Sequence, residues 1–187
     1  MLKIVEASHL IIREYLNSVS LNFIRCLDAT CGAGNDTLFL SSNLKDKGHI
    51  DAYDIQEKAI ELTKQKINTE GYNNVSYYLK SHDTINPSNY DLAIFNLGYL
   101  PGTDKSITTN HISTMKAIKS LTEEIINNPL LLIIIAVYPG HEEGKIESNL
   151  IDEYVKNLSS SLYLVTKYQN YNRNLSPYLI TISKNKR

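Results

Sequence analysis

The first residues that could do chemistry lie in the stretch DATCGAGNDT, residues 28–37, where Gly32 and Gly34 follow a mostly apolar run from Ile24 to Ala29. Glycines at that place let a strand turn tightly into a helix and let a ligand approach the backbone. Asn35 or Asp36 is expected to cap the helix that follows. An ordinary strand-to-helix turn would need no more than this, because a short Gly-x-Gly is a weak motif. Asp54 weighs against that plainer reading. It closes the second apolar run, about twenty residues beyond the turn, where doubly wound folds place an acid that accepts ribose hydroxyls. The turn lacks the full Gly-x-Gly-x-x-Gly that favours a dinucleotide pyrophosphate, and its own acids, Asp28 and Asp36, would repel phosphate. These features point to a cationic nucleoside without phosphates.

The elements that must position such a site follow from periodicity. Residues Glu6 to Val19 place Ala7, Leu10, Ile11, Ile12, Tyr15, Leu16 and Val19 at the three-and-four spacing of an amphipathic helix. Strands are expected at Ile24 to Ala29, His49 to Asp54, Val75 to Leu79, Asp91 to Phe95 and Leu130 to Val137. Helices are expected at Asp36 to Leu44, Gln56 to Thr69, Ser113 to Asn127 and Ile146 to Leu158. The run LLLIIIAV has no alternation, which fits a strand covered on both faces. Leu162 to Tyr168 and Tyr178 to Ser183 are separated only by a polar loop, so they should pair antiparallel. The expected fold is α/β, an open doubly wound sheet closing in a C-terminal antiparallel hairpin. Ligands then sit outside the carboxyl ends of the strands.

Bulk properties narrow the classes. The chain has 187 residues with 42% hydrophobic content, which suits one core, so residues 1–187 are read as one domain. Within it, 1–23 form an N-terminal helix segment and 24–187 the α/β core. The longest apolar run, Leu130 to Val137, is far shorter than the ~20 residues a membrane-spanning helix needs. With no secretory signal evident, a cytoplasmic location is expected, and Cys26 and Cys31 are read as reduced. The net charge of −1 makes any nucleic-acid contact a local one.

S-adenosylmethionine is a cationic nucleoside without phosphates, and LDATCGAGNDTLFL resembles the first motif of class I S-adenosylmethionine-dependent methyltransferases. The resemblance implies a Rossmann-like sheet of seven strands. It places the cofactor's methionine end against Asp28, Thr30, Cys31, Gly32, Gly34, Asn35, Asp36 and Thr37. The ribose falls to Asp54, flanked by Ile55 and Gln56, the adenine lies near Ser81, His82 and Asp83, and Asn96 also borders the cofactor. An Asx turn or helix cap is the plainer role for Asp83.

The segment FNLGYLPGTDKSITT, residues 95–109, resembles the Asn-Pro-Pro-Tyr signature of methyltransferases that act on amino nitrogens, with Leu97 and Gly98 in place of the prolines. By that resemblance the Asn96 oxygen and the next backbone carbonyl, that of Leu97, accept hydrogen bonds from the target nitrogen, and Tyr99 stacks on the base. As a whole, DAT, GNDT, DIQ, KSHD, NLGYLPGTDKSITT and YPGHEEGK are similar to a group of bacterial proteins labelled rRNA methylases, with Thr103 where a second glycine is expected. That family is linked to conversion of 5-aminomethyl-2-thiouridine at the tRNA wobble position into its 5-methylaminomethyl form. An aliphatic amine of this kind is mostly protonated at neutral pH. His141 is a candidate base for it, a turn histidine being the alternative.

The partner implied is the tRNA anticodon loop. Tyr99, Lys105, Tyr138, Lys145, Tyr168, Tyr171 and Arg173 are the loop residues that could stack on a base or hold phosphate. Ser113 is expected to cap the next helix, with Ile112, Met115, Ile118 and Leu121 packing. In-line methyl transfer needs no metal, and none is expected. Oligomeric state is left open, a homodimer included. Two other functions compete: methylation of an exocyclic amine in rRNA or DNA, and a non-catalytic cofactor-binding module.

Overall fold

The computed structural model describes residues 3–98 and 111–186. The described elements are α1 (Ile4–Ser18), β1 (Ile24–Asp28), α2 (Asn35–Leu44), β2 (Gly48–Asp54), α3 (Glu57–Thr69), β3 (Val75–Leu79), β4 (Leu92–Asn96), α4 (His111–Glu124), β5 (Leu132–Val137), α5 (Glu142–Lys156), β6 (Tyr163–Gln169) and β7 (Tyr178–Lys184). The seven strands form one sheet in the order β3, β2, β1, β4, β5, β7, β6. β1 to β5 pair in parallel, while β7 runs antiparallel to both β5 and β6. This is a Rossmann-like, doubly wound sheet with an antiparallel C-terminal end, as the element order implied.

β5 shows how the sequence specifies the layers. All six of its residues are buried. Ile133, Ile135 and Val137 enter one core with Ile118 and Leu121 of α4 and Ile151 of α5. Leu132, Ile134 and Ala136 enter the other, with Ile12 of α1 and Leu40 and Leu44 of α2. Each such aliphatic side chain contributes roughly 1.5–3 kcal/mol on burial. The period-2 geometry of a strand therefore turns an unbroken apolar run into two packed faces. Ala52 and Cys31 pack against Ile60 of α3.

Three local expectations are corrected. The cap of α2 is Gly34 in left-handed conformation (φ 74), with Asn35 and Asp36 inside the first turn. α4 begins at His111, which puts Ser113 inside the helix, and Ile112 is 67% exposed while Met115, Ile118 and Leu121 are buried. α5 begins at Glu142, four residues before the apolar pattern starts, because His141 supplies its cap.

No described helix is long and apolar enough to cross a membrane. Strand order reverses between β1 and β4, which are neighbours although β2 and β3 lie between them in sequence. At such a switch point the loops diverge and leave a crevice at the carboxyl ends.

Candidate active site

The glycine turn is built by backbone geometry. Gly34 N–H donates to the Cys31 carbonyl at 2.7 Å, with φ 51 at Gly32 and φ 74 at Gly34. A Cβ at Gly34 would lie 2.9 Å from Thr63 Cα, so the α2 and α3 backbones meet at a place only glycine fits. The Thr63 hydroxyl donates to the Gly32 carbonyl at 3.2 Å and holds the turn from the other side. Cys31 is buried, and burial pushes its thiol pKa up, so it does not act as a thiolate.

Asp54 ends β2 with each carboxylate oxygen on a backbone donor: Gly32 N–H at 3.0 Å and Gln56 N–H at 2.9 Å. An ionised carboxylate has about four acceptor positions, so two sites remain for hydroxyl donors. Ile55 beside it is 44% exposed, an apolar surface fit to lie under a flat heterocycle.

Ser81, His82 and Asp83 split by role. Ser81 caps a single 3-10 turn, His82–Thr84, accepting from Asp83 N–H. Asp83 faces Lys116 of α4 at 3.3 Å, and the Ser81 hydrogen bond together with that ammonium holds its carboxyl below the usual range. The His82 ring is buried, bonds the Ala29 carbonyl through Nδ1 at 3.0 Å, and meets Phe95 edge-on. Desolvation lowers its pKa. The ring is turned into the protein, so the adenine contact expected of His82 could come only from its backbone.

The β1 and β4 ends meet through hydrogen bonds. Asn96 N–H donates to the Thr30 hydroxyl at 2.8 Å, and the Asn96 side-chain amide donates to Asp36 at 3.0 Å. Because a carboxylate accepts and the amide NH2 donates, this contact fixes which way the amide faces: its oxygen points away from Asp36. Asp36 also meets His9 Nε2 of α1 at 2.7 Å. Below lies Asp28, fully buried, accepting from the Thr37 hydroxyl at 2.5 Å and Thr30 N–H at 3.3 Å. Burial, and then the charge of Asp36, push Asp28 up to about 7.

Leu97 is buried and its N–H bonds the Ala136 carbonyl at 3.0 Å, so only its own carbonyl is available for a substrate role. A Cβ at Gly98 would sit 3.5 Å from the Tyr138 ring, which brings the β4 and β5 ends together. Burial, and then the charge of Asp36, raise the Tyr138 pKa. Because Val137 pairs with Tyr178, the loop between β6 and β7 lies at this same rim and carries exposed Tyr171 and Arg173. The side-chain oxygen of Asn35 accepts from the Lys66 ammonium of α3 on the outside of α2. Tyr99, Lys105 and Thr103 lie outside the described residues.

His141 is a helix cap. Its Nδ1 accepts the Gly144 N–H at 2.9 Å. In a neutral ring this puts the proton on Nε2 and commits the ring's one lone pair to the helix. The expected general-base role has no lone pair to use. Among the described residues, no group of three or more His, Cys, Asp or Glu could hold a metal ion.

A family model described as Putative rRNA methylase matches residues 50–184. The chain belongs to the Putative rRNA methylase family. Over 172 residues it is 36% identical to the tRNA (mnm(5)s(2)U34)-methyltransferase, chloroplastic, of Arabidopsis thaliana. That alignment covers 84% of this chain and 62% of the Arabidopsis protein, so the chain spans less than two thirds of its relative. The putative rRNA methylase of Clostridium thermocellum superposes with a TM-score of 0.86 at 30% identity, over 98% of each chain. A putative methyltransferase from Streptococcus mutans, in complex with SAH, gives 0.80 at 33% identity, over 98% of this chain and 99% of that one.

This methylase-family chain thus carries its glycine turn and α1 ahead of the matched segment. One site residue, His9, escaped the sequence reading. It lies 27 positions from its partner Asp36. The available signal was faint: His9 and Arg13 are four apart on one helix, and both face Phe39.

Proposed function

We propose that this chain is an S-adenosylmethionine-dependent methyltransferase acting on tRNA. Its substrate is the primary amine of 5-aminomethyl-2-thiouridine at the wobble position, and its product the 5-methylaminomethyl form. The observation that carries the reading is the Asp36–Asn96 hydrogen bond, which leaves the Asn96 oxygen as a fixed acceptor at the switch point. The name of the Arabidopsis relative supports the substrate.

The residues present suit this cofactor. Asp54 keeps acceptor capacity for ribose hydroxyls, and the glycine turn opens backbone to the ligand. Asp28 and Asp36 place two carboxyl groups where a sulfonium would be welcome, and the charge of Asp36 adds to burial in raising the Asp28 pKa. When bound, S-adenosylmethionine supplies an electrophilic methyl group whose departure leaves a neutral thioether.

The protein's part is placement. The Asn96 oxygen and the Leu97 carbonyl accept the two N–H groups of the neutral amine and aim its lone pair along the attack line. Held by the glycine turn and Asp54, S-adenosylmethionine would supply the methyl carbon to that lone pair, its sulfur keeping the C–S electron pair, and the methylated ammonium would release a proton to water. Deprotonation of the incoming ammonium is also assigned to solvent, since His141 is committed to its cap. Exposed Tyr171 and Arg173 would contact the anticodon loop.

The test is transfer of a labelled methyl group to two tRNA preparations, one carrying 5-aminomethyl-2-thiouridine and one with unmodified uridine at that position. Label in the first alone is expected. Label in both, or only in rRNA or DNA, would move the target to an exocyclic base amine.

A further inference from the structure

The N-terminal helix reaches into the site through one side chain. His9 Nε2 bonds Asp36 Oδ1 at 2.7 Å, and Asp36 Oδ2 accepts the Asn96 amide at 3.0 Å. The three side chains form one line from α1, through the first turn of α2, to the end of β4. Both oxygens of Asp36 are thereby engaged, in a position only 8% exposed. The His9 ring is itself held flat on Phe39, centroids 3.7 Å apart and planes within 5°, and Arg13 covers the same phenyl ring at 5.2 Å. α1 is anchored at its far end by the Tyr15 hydroxyl on the Asp91 carbonyl at 2.9 Å, with Ala7, Ser8 and Ile12 buried. A ring this restrained can set the direction of a carboxylate.

We propose that His9 is a positioning residue for methyl transfer: through Asp36 it fixes the Asn96 amide so that the amide oxygen meets the target amine. This rests on the function proposed above, in which Asn96 touches the substrate. Asp36 can present either oxygen to either donor, and its carboxylate can rotate. With His9 donating to one oxygen, the other is locked toward Asn96, and the amide cannot turn its NH2 to the substrate without losing its own acceptor. Loss of the His9 donor frees that rotation. A misdirected Asn96 opposes the amine's N–H groups with donors, which costs rate rather than cofactor affinity.

Two substitutions separate hydrogen bonding from packing. His9→Phe keeps a ring on Phe39 and removes the donor. His9→Gln removes the ring and puts an amide NH2 near the place of Nε2. The expected result is a fall in kcat of roughly tenfold or more for His9→Phe, as for other small misplacements of a reacting group. KM for S-adenosylmethionine stays within about twofold, as expected when the lost interaction counts mainly in the transition state. His9→Gln recovers most of the lost rate. A second readout is independent of turnover: the side-chain amide NMR signals of Asn96, identified by their loss in Asn96→Ala, should shift in His9→Phe and return in His9→Gln. Unchanged kcat and amide signals in His9→Phe would overturn the proposal, as would equal losses in both variants, which would make the ring stack the cause. If the wild-type protein transfers no methyl group to the tRNA, the functional reading fails, while the amide signals still decide whether His9 orients Asn96.

Discussion

Two buried aspartates one strand apart have opposite surroundings. Asp51 in β2, beside Leu27 of β1, is 5% exposed and serves three neighbours: the Tyr90 hydroxyl at 3.0 Å, the Arg25 guanidinium at 3.3 Å and His49 at 3.7 Å. Asp28, at the carboxyl end of β1, is fully buried, and the charges that reach it are those of Asp36 and Asp54. Its hydrogen bonds come from uncharged groups of Thr30 and Thr37. A buried carboxylate with its cation beside it stabilises a fold. One held among other acids at a strand's carboxyl end carries an electrostatic cost that a cationic ligand would relieve. The sheet thus keeps its structural ionic pairing around Asp51 and its unbalanced charge at the switch point.

The largest effect expected from breaking this asymmetry is at the acid-rich end. Asn96→Ala should lower kcat about a hundredfold, the usual scale for removing one oriented polar contact to a reacting group. Cofactor affinity measured by calorimetry should change only a few-fold, as fits a contact counted mainly in the transition state. Next comes Gly34→Ala. The added methyl must enter a φ of 74 and lie 2.9 Å from Thr63 Cα, so a loss of about 2–3 kcal/mol is expected in denaturant unfolding.

A smaller effect concerns pH. Burial pushes both Asp28 and Glu147 up to about 7, so the native state holds protons that the unfolded chain has already released. Stability should therefore be greatest at low pH on this account, fall as pH rises from about 4 to about 7, and stay level above that. Asp28→Asn and Glu147→Gln should each flatten the profile, gaining on wild type at pH 8 relative to pH 5. The shift in melting temperature is ~2–4 °C for each kcal/mol recovered. The smallest effect is at the balanced end. Arg25 is 45% exposed, so Arg25→Ala should cost about 1 kcal/mol of stability and leave turnover unchanged.

The two ends also differ in how far they could be read from sequence. The glycine turn, the place of Asp54 at the end of a strand and the succession of strands and helices were legible because each depends on local spacing: glycines where a turn must form, an acid at a strand's end, apolar runs of one period or another. The Asp51 pairing and the His9–Asp36 contact were not, because their partners lie 26 and 27 positions apart and meet only when elements pack. The role of His141 stayed open between base and turn residue for a related reason. A histidine after a strand looks the same whether its lone pair faces a substrate or caps the next helix, and only the position of Gly144 N–H decides. Glu147 sits where helical periodicity permits a solvated face, yet it is 5% exposed, on α5 against Thr114 of α4.

The central claim is that the unbalanced end of the sheet holds a sulfonium cofactor and directs its methyl group to an amine. Nucleoside mass spectrometry tests it most directly, on tRNA carrying 5-aminomethyl-2-thiouridine, after incubation with S-adenosylmethionine and either wild-type protein or Asn96→Ala. The account predicts a gain of one methyl group on that nucleoside with wild type and little or none with the variant. Cofactor binding without that gain, or an equal gain with both proteins, would contradict it.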